Sequence, residues 1–302
     1  MSTRTLALFG ATMVSLIYGV TFTIAKDVMP QYMGAYGFIV LRVGGCVILF
    51  WLAWLFMPKE KIAMADFPRI LAAAFFGVAL NMLTFFKGLS YTSPISASVI
   101  MVTTPIIVLI LSAFIMKERM QSKKVIGIVL GLAGTAALIL YGKSVHNAPN
   151  ASLGNFLVFV NAASYGFYLI LVKKLMDRYN AFTFVKWIYL FGFVMVLPFG
   201  LNEFNAVDWQ SIPEMIWWKI GFVIIFSTFL TYLLNLLTMK TLKPVMVAVF
   251  IYLQPLFATV FAIGLGKDEL TWVKILSAVM VFAGVYLVTQ KQGKEVPSAP
   301  AG

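Results

Sequence analysis

TTPIIVLILSAFIMKER, residues 103–119, and LQPLFATVFAIGLGKDE, residues 253–269, follow the same pattern 150 positions apart. Proline falls on proline near the start of each apolar run, lysine falls on lysine at its end, and Glu118 falls on Asp268. Chance likeness between two apolar helices does not account for prolines and charges kept in one ungapped frame. We therefore interpret the chain as an internal duplication, and the same frame aligns Pro94 with Pro244, Lys124 with Lys274, and Gly134 with Gly284.

The composition identifies the class of protein. Of the 302 residues, 61% are hydrophobic and only 11% are charged, and the mean hydropathy is +0.94. A soluble domain is about half apolar and about one quarter charged. The chain has too few charges to cover a water-facing surface of its size, so we predict an all-α integral membrane protein.

The net charge of +12 indicates basic loops at a membrane surface rather than a nucleic-acid partner. No basic stripe alternates with exposed aromatic residues. The single cysteine, Cys46, lies in an apolar run, and the single histidine, His146, lies in a polar loop. We therefore expect no disulfide, no metal site and no cofactor. The chain also has no Walker motif, so ATP-driven transport is unsupported.

Ten segments are apolar and long enough for a helix of about 20 residues to cross a bilayer. The first segment is too long for the apolar core of a signal peptide, so we expect it to be retained as a helix. The polar tail, residues 291–302, is predicted to be disordered and cytoplasmic. The ten predicted spans are residues 5–25, 34–57, 67–88, 94–116, 124–141, 153–172, 182–201, 216–239, 244–265 and 271–289.

Lysine and arginine predict the orientation. Of 23 such residues, 15 fall on the side that holds both termini, six on the other side and two within helices. The positive-inside rule therefore places both termini in the cytoplasm. Because each half, residues 1–146 and 147–290, holds an odd number of spans, the second five-helix repeat is inverted relative to the first. The motif YGVTFTIAK, residues 18–26, aligns with YGFYLILVK, residues 165–173, with Tyr, Gly and Lys at the same positions.

Inverted repeats are typical of secondary transporters, because exchanging the shapes of the two halves exposes a central site to each side in turn. The aligned prolines, Pro105 and Pro255, lack the N–H that would bond the carbonyls of Met101 and Ile251. We expect each proline to kink its helix and to act as a hinge. A packed kink without a function is the alternative.

The sequence resembles the EamA-type branch of the drug/metabolite transporter superfamily over residues 5–289. The resemblance rests on YGVTFTIAK, on Arg42 in VLRVGG, and on LSYTSPISAS followed by MKERMQSKKVIGIVLGLAGT. The second copy is looser, with Asp268 where the family more often has Glu and Ser277 where it often has Gly. The resemblance implies ten helices in two inverted repeats and export of amino acids, other small metabolites or drugs.

The resemblance also implies a central cavity between the halves, and polar side chains deep in the helices are the candidates to line it. Arg42 could bind a solute carboxylate, snorkel, or pair with Asp27. Each asparagine could instead join helices, and each tyrosine could simply pack. The predicted substrate-binding residues are Tyr18, Arg42, Asn81, Thr104, Asn161, Tyr165, Asn235, Tyr252 and Gln254.

These observations predict a secondary transporter, not an enzyme, that exports an amino acid or a related metabolite by alternating access. An exporter of drugs or lipophilic cations is the alternative. We expect a monomer in the cell (inner) membrane whose partners are a small-molecule solute and the lipid bilayer. The spans contain no deep carboxylate, so the sequence leaves open whether proton antiport or the solute gradient drives transport.

The first prediction concerns topology. Tags on both termini should be cytoplasmic, and a reporter inserted after Val145 should lie outside the cell, as labelling with membrane-impermeant reagents would show. A cytoplasmic location for the loop at residues 142–152 would overturn both the orientation and the inversion.

Overall fold

The computed structural model is helical throughout the part of the chain that it describes. The tail at residues 291–302, the loop charges Glu118 and Asp268, and most of the 142–152 loop lie outside the described residues. Those residues are 2–57, 59–91, 97, 100–117, 121–140, 150–264 and 271–290.

The helices are numbered in chain order. α3 and α8 each contain a short π-helical segment, and α9 contains a 3₁₀ turn, so these three are each built of consecutive pieces. The helices are α1 Thr3–Val28, α2 Ala35–Leu55, α3 Met64–Tyr91, α4 Thr104–Ile115, α5 Ser122–Leu140, α6 Ala151–Met176, α7 Ala181–Asn205, α8 Glu214–Met239, α9 244–264 and α10 Trp272–Thr289.

Eight of these helices are long and apolar enough to cross a membrane. The chain is therefore a multi-pass membrane protein, as its composition predicts. The other two are α4, which is a shorter apolar helix of 12 residues, and α5, which is 19 residues long. The prediction of ten spans is thus supported for eight segments within the described ranges, and the full count stays a prediction.

The two ends of the described chain lie together. The Arg4 guanidinium on α1 donates a hydrogen bond to the carbonyl of Thr289 at the end of α10. We call the side of the molecule that holds these ends the proximal side and the opposite side the distal side. The amide of Asn150, just before α6, donates to the carbonyl of Tyr91 at the distal end of α3.

Glycines bring helices α5 and α10 into backbone contact. A Cβ atom added to Gly284 would lie 2.6 Å from the carbonyl oxygen of Gly127 and 2.7 Å from the amide nitrogen of Gly131. A Cβ added to Gly134 would likewise lie 2.9 Å from the carbonyl oxygen of Ser277. Small residues allow such close approach between helices in a bilayer.

Acidic residues join α2 and α7 at both ends. On the distal side, the carboxylate of Glu203 accepts hydrogen bonds from the amides of Tyr36 (2.8 Å) and Gly37 (3.0 Å) at the start of α2. On the proximal side, the Glu60 carboxylate accepts from the Asn180 amide (2.9 Å) that precedes α7. A carboxylate at a helix N-terminus satisfies amides that have no intrahelical partner. The two halves therefore cap each other's helices.

A second proximal cluster surrounds Asp66 at the start of α3. Its side chain is 4% exposed and forms ion pairs with Arg69 (3.2 Å) and Arg178 (2.7 Å). The Tyr179 hydroxyl donates to the same carboxylate at 2.7 Å. This buried carboxylate links the start of α3 to the connection between α6 and α7, so it belongs to the fold rather than to a binding site.

The glycine contacts give the second prediction. Gly284→Ala should reduce the free energy of unfolding by roughly 1–3 kcal/mol, because the added methyl group meets backbone atoms that cannot move aside. Gly221→Ala is the matched control, since a Cβ at Gly221 meets nothing within 4 Å. Thermal unfolding in detergent measures both variants, and equal stability would show that α5 and α10 separate easily.

Candidate functional site

A cavity of about 120 Å³ lies among helices α1, α2, α3, α6, α8 and α9, with Met101 also at its wall. Its walls combine polar side chains with large apolar ones, among them Met82, Phe85 and Phe86 on α3. Such concave, mostly apolar sites with a few convergent polar groups are typical of small-molecule binding. Six residues predicted from the sequence line this cavity: Tyr18, Arg42, Asn81, Asn161, Tyr165 and Gln254.

The cavity extends from the distal part of the bundle past its middle. Leu89 lines it two residues before the end of α3 at Tyr91, and Ala25 lines it near the distal end of α1. Asn161 lies near the middle of α6, and Tyr232 lies in the proximal half of α8. The lining residues therefore reach toward the side opposite the chain ends.

The other three predicted site residues are buried but do not line this cavity. The Thr104 hydroxyl donates to the Met101 carbonyl (2.6 Å), and the Tyr252 hydroxyl donates to the Ile128 carbonyl on α5 (3.3 Å). Asn235 lies on α8 closer to the proximal side and is 4% exposed. A role for these residues in solute binding stays a prediction, and the hydroxyls of Thr104 and Tyr252 make structural hydrogen bonds here.

Arg42 is the charged residue at the cavity wall. It is 5% exposed, and its Nε and Nη2 atoms donate to the Thr228 hydroxyl oxygen at 3.2 and 3.0 Å. Its guanidinium carbon lies 4.9 Å from the centre of the Phe86 ring. Among the described residues no carboxylate forms an ion pair with it. A guanidinium has five N–H donors, and Nη1 makes no hydrogen bond to the described protein residues.

The suggestion that Arg42 pairs with Asp27 is wrong. Asp27 lies at the distal end of α1, where its carboxylate accepts from the Lys219 ammonium at 2.6 Å. Arg42 lies on α2, where it faces Thr228 on α8 instead. The sequence could not distinguish these partners because α1, α2 and α8 meet only in the folded bundle.

Two asparagines join α3 and α6 at the cavity. The Asn161 amide nitrogen donates to the Asn81 carbonyl at 2.8 Å, and the Asn81 amide nitrogen lies 3.5 Å from the Asn161 carbonyl. Both residues also line the cavity, so joining helices and lining the cavity are not alternatives here. Two buried polar atoms at this wall, Oδ1 of Asn161 and Oγ of Ser227, have no hydrogen-bond partner in the described part of the chain.

The two π-helical segments occupy equivalent positions in the two halves. The segment in α3 is Phe75–Ala79, and the segment in α8 is Val223–Leu230, which contains the residues 150 positions later. A π-helical turn leaves a backbone carbonyl without its usual partner, and such turns are frequent at functional sites. The sequence of neither segment contains proline or any other marker that predicts this irregular turn.

Side-chain hydroxyl groups satisfy the carbonyls of these segments. In α8 the Thr228 hydroxyl donates to the Val223 carbonyl at 2.7 Å while it accepts from Arg42. In α3 the Ser164 hydroxyl donates to the Phe76 carbonyl at 2.5 Å, and the Tyr232 hydroxyl donates to the Gly77 carbonyl at 2.6 Å. Arg42 is therefore coupled through Thr228 to the irregular turn of the helix that carries Tyr232.

An aromatic cluster closes the proximal side of the cavity. We call it the aromatic plug, and its members are Phe50, Tyr168, Tyr189, Phe229 and Tyr232. Ring centres are 4.8 Å apart for Phe50 and Tyr189, 4.6 Å for Phe50 and Phe229, and 5.2 Å for Tyr189 and Tyr232. Gly77 provides room for the Tyr168 ring, since a Cβ there would overlap it. The plug joins α2, α6, α7 and α8 beneath the cavity.

The predicted hinge prolines stand where α4 and α9 are irregular. Pro105 is the second residue of α4, which follows a turn at residues 102–103. Pro255 follows a 3₁₀ turn at Phe250–Tyr252. The expectation that Pro105 leaves the Met101 carbonyl unpaired is wrong, because Thr104 satisfies it. In the second half Ser15 on α1 donates to the Phe250 carbonyl at 2.7 Å.

Three kinds of residue at this site were not predicted from the sequence. Ser227, Thr231 and Asn235 follow one another at intervals of four residues, so they share one face of α8. That polar face could have indicated Ser227. Phe85 and Leu89 follow Asn81 at intervals of four residues, which marks the same face of α3. Tyr232 gave no such signal, because its importance comes from a carbonyl in another helix.

A known protein family matches the chain twice, once in each half. The profile of the EamA-like transporter family matches residues 5–140 and again residues 152–290. The "Uncharacterized transporter YetK" of Bacillus subtilis is 28% identical over 76% of this chain and 71% of its own length. An "Uncharacterized transporter" of Archaeoglobus fulgidus is 26% identical over 91% of this chain and 95% of its own.

More distant comparisons cover most of the chain. A WAT1-related protein of Arabidopsis thaliana is 21% identical over 92% of this chain and 81% of its own length. A solved crystal structure superimposes with a TM-score of 0.75, covering 95% of this chain and 97% of the other, at 16% identity. That similarity supports the fold alone.

The third prediction concerns the contact between Tyr232 and Gly77. Tyr232→Phe should destabilise the protein by roughly 1–3 kcal/mol, because it leaves the Gly77 carbonyl without its donor in a buried site. Tyr168→Phe is the matched control, since its hydroxyl is buried in the same plug and has no partner among the described residues. Thermal unfolding measures both variants, and equal effects would show that the Tyr232 hydrogen bond contributes nothing.

Proposed function

Because the chain belongs to the EamA-like transporter family, we propose that it is a secondary transporter that moves a small organic solute bearing a carboxylate, and that it works by alternating access. The observation that carries the proposal is Arg42. A cation within a membrane protein is costly unless it is paired or lines a pathway. Arg42 is buried, lines the cavity and forms no ion pair with a described carboxylate. A solute carboxylate would supply the missing counter-charge.

Helix packing supports an inverted repeat. α1 packs against α8 and α9, and α6 packs against α3 and α4, which is the same pattern with each helix shifted by five. The pairs α2–α7 and α5–α10 map onto themselves under that shift. The aligned π-helical segments and the reciprocal caps from Glu60 and Glu203 follow the same exchange. An inverted pair of five-helix units accounts for all of these relations.

The position of the cavity relative to the aromatic plug supports alternating access. The cavity lining reaches toward the distal side, and the aromatic plug packs on its proximal side. If the halves exchange conformations, the plug must open and the distal helices must close over the solute. Pro105 and Pro255 stand at breaks in α4 and α9 and are the proposed hinges.

The proposed direction is export, and the proposed solute is an amino acid or a related metabolite. The charge distribution of the sequence supports termini in the cytoplasm. The proposed location is the cell (inner) membrane, and the proposed state is a monomer. An exporter of lipophilic cations is the second candidate. The guanidinium of Arg42 at the cavity wall disfavours it, because like charges repel most strongly where water is scarce.

The fourth prediction tests the carboxylate. Arg42→Gln should weaken binding of a carboxylate solute about ten- to one-hundredfold, the loss expected for a hydrogen bond to a charged group. Binding of the corresponding uncharged amide should change little. A thermal-shift screen of carboxylic acids and their amides on purified protein measures both.

Lys186→Gln is the control for removing a buried cation. Lys186 is 4% exposed, and its ammonium lies over the rings of Trp51 and Trp54 at 4.5 and 2.9 Å rather than at the cavity. This variant should retain carboxylate binding. If acids and amides lose affinity equally in Arg42→Gln, then Arg42 has a structural role and the proposed solute class is wrong.

A further inference from the structure

We propose that the transported solute carries a net charge of −1 without an ammonium group, and that its transport is electrogenic, so that an inside-negative membrane potential drives it outward. The inference rests on the proposed function and narrows it. Among amino acids and related metabolites, it selects organic monocarboxylates such as 2-oxo or 2-hydroxy acids rather than the zwitterionic amino acids.

The cavity has a net positive charge. Arg42 is the one charged side chain among the described residues that line it, and the other polar lining groups are amides, hydroxyls and phenols. Two described acidic residues on the distal side form interactions elsewhere. Asp27 pairs with Lys219, and Glu203 caps α2. A carboxylate solute makes the occupied cavity neutral, whereas a zwitterion leaves it positive.

An ammonium group would find poor ligands beside Arg42. Aromatic faces can bind an ammonium, but the Arg42 guanidinium already lies over the Phe86 ring at 4.9 Å. The neutral oxygens of the lining, such as those of Thr21 and Gln254, can accept hydrogen bonds from an ammonium but supply no counter-charge. A buried charge without a counter-charge is disfavoured strongly.

The lining also offers no group that exchanges a proton with the solute near neutral pH. Its titratable members within the described ranges are Arg42 and the phenols of Tyr18, Tyr165 and Tyr232. Arginine stays protonated in proteins, and a phenol has an ordinary pKa near 10. A monocarboxylate therefore crosses with its charge uncompensated. One elementary charge moved through 100 mV corresponds to about a 50-fold concentration ratio at equilibrium.

The fifth prediction is tested in proteoliposomes with matched pairs of solutes that differ only at the α-carbon substituent. Leucine is compared with 4-methyl-2-oxopentanoate and 4-methyl-2-hydroxypentanoate, and phenylalanine with phenylpyruvate and phenyllactate. A potassium gradient with valinomycin sets the potential, and a pH gradient is applied separately. Uptake and charge movement are recorded for the unmodified protein, Arg42→Gln and the control Lys186→Gln.

We expect flux of the oxo or hydroxy acids at least tenfold above that of the amino acids. It should carry negative charge, follow the potential, ignore the pH gradient, and disappear in Arg42→Gln but not in Lys186→Gln. Equal or greater Arg42-dependent flux of the amino acids would overturn this inference and leave the proposed function standing. Flux that follows the pH gradient instead of the potential would also overturn it. No Arg42-dependent flux of any panel member would overturn the proposed function and the inference together.

Discussion

The structure depends on one constraint, which is that no backbone carbonyl in a bilayer can turn to water for a hydrogen bond. α3, α8 and α9 all depart from regular helix within the membrane. At each departure a hydroxyl from a side chain supplies the missing donor, as Tyr232 does for Gly77 and Ser15 does for Phe250. These hydrogen bonds allow the helices to be irregular at those positions. Some of the irregular turns lie beside the cavity.

The hydrogen bonds of Arg42 reflect the same constraint. Its guanidinium donates to Thr228, and Thr228 uses its own proton on the Val223 carbonyl of the π-helical segment. The charge at the cavity wall is thus bonded to an irregular turn, and the same helix carries Tyr232 into the aromatic plug. Under the proposed function, a solute that draws the guanidinium toward itself acts on both the turn and the plug. That short chain of contacts is the link the proposal gives between binding and closure.

The sequence predicted the membrane class and the division into two halves, because both depend on composition and on a repeat that needs no tertiary information. It also named six residues that the structure places at the cavity, since a polar side chain deep in a membrane helix faces either another helix or a cavity. Asp27 was one suggested partner of Arg42, but in the fold it forms an ion pair with Lys219 instead. The π-helical segments left no mark in the sequence, because hydroxyl groups on other residues stabilise them. Tyr232 was missed for the same reason.

The backbone contact between α5 and α10 has a mechanical consequence. No side chain stands between Gly127 and Gly284, so no change of rotamer can widen or narrow the gap. α5 and α10 therefore form a closely packed pair, and separating them would break contacts along their whole length at once. Any shape change has to be taken up by the other helices, which hold the cavity and the plug. In the proposed transport cycle, the helices that hold the cavity and the plug therefore move relative to a closely packed α5–α10 pair.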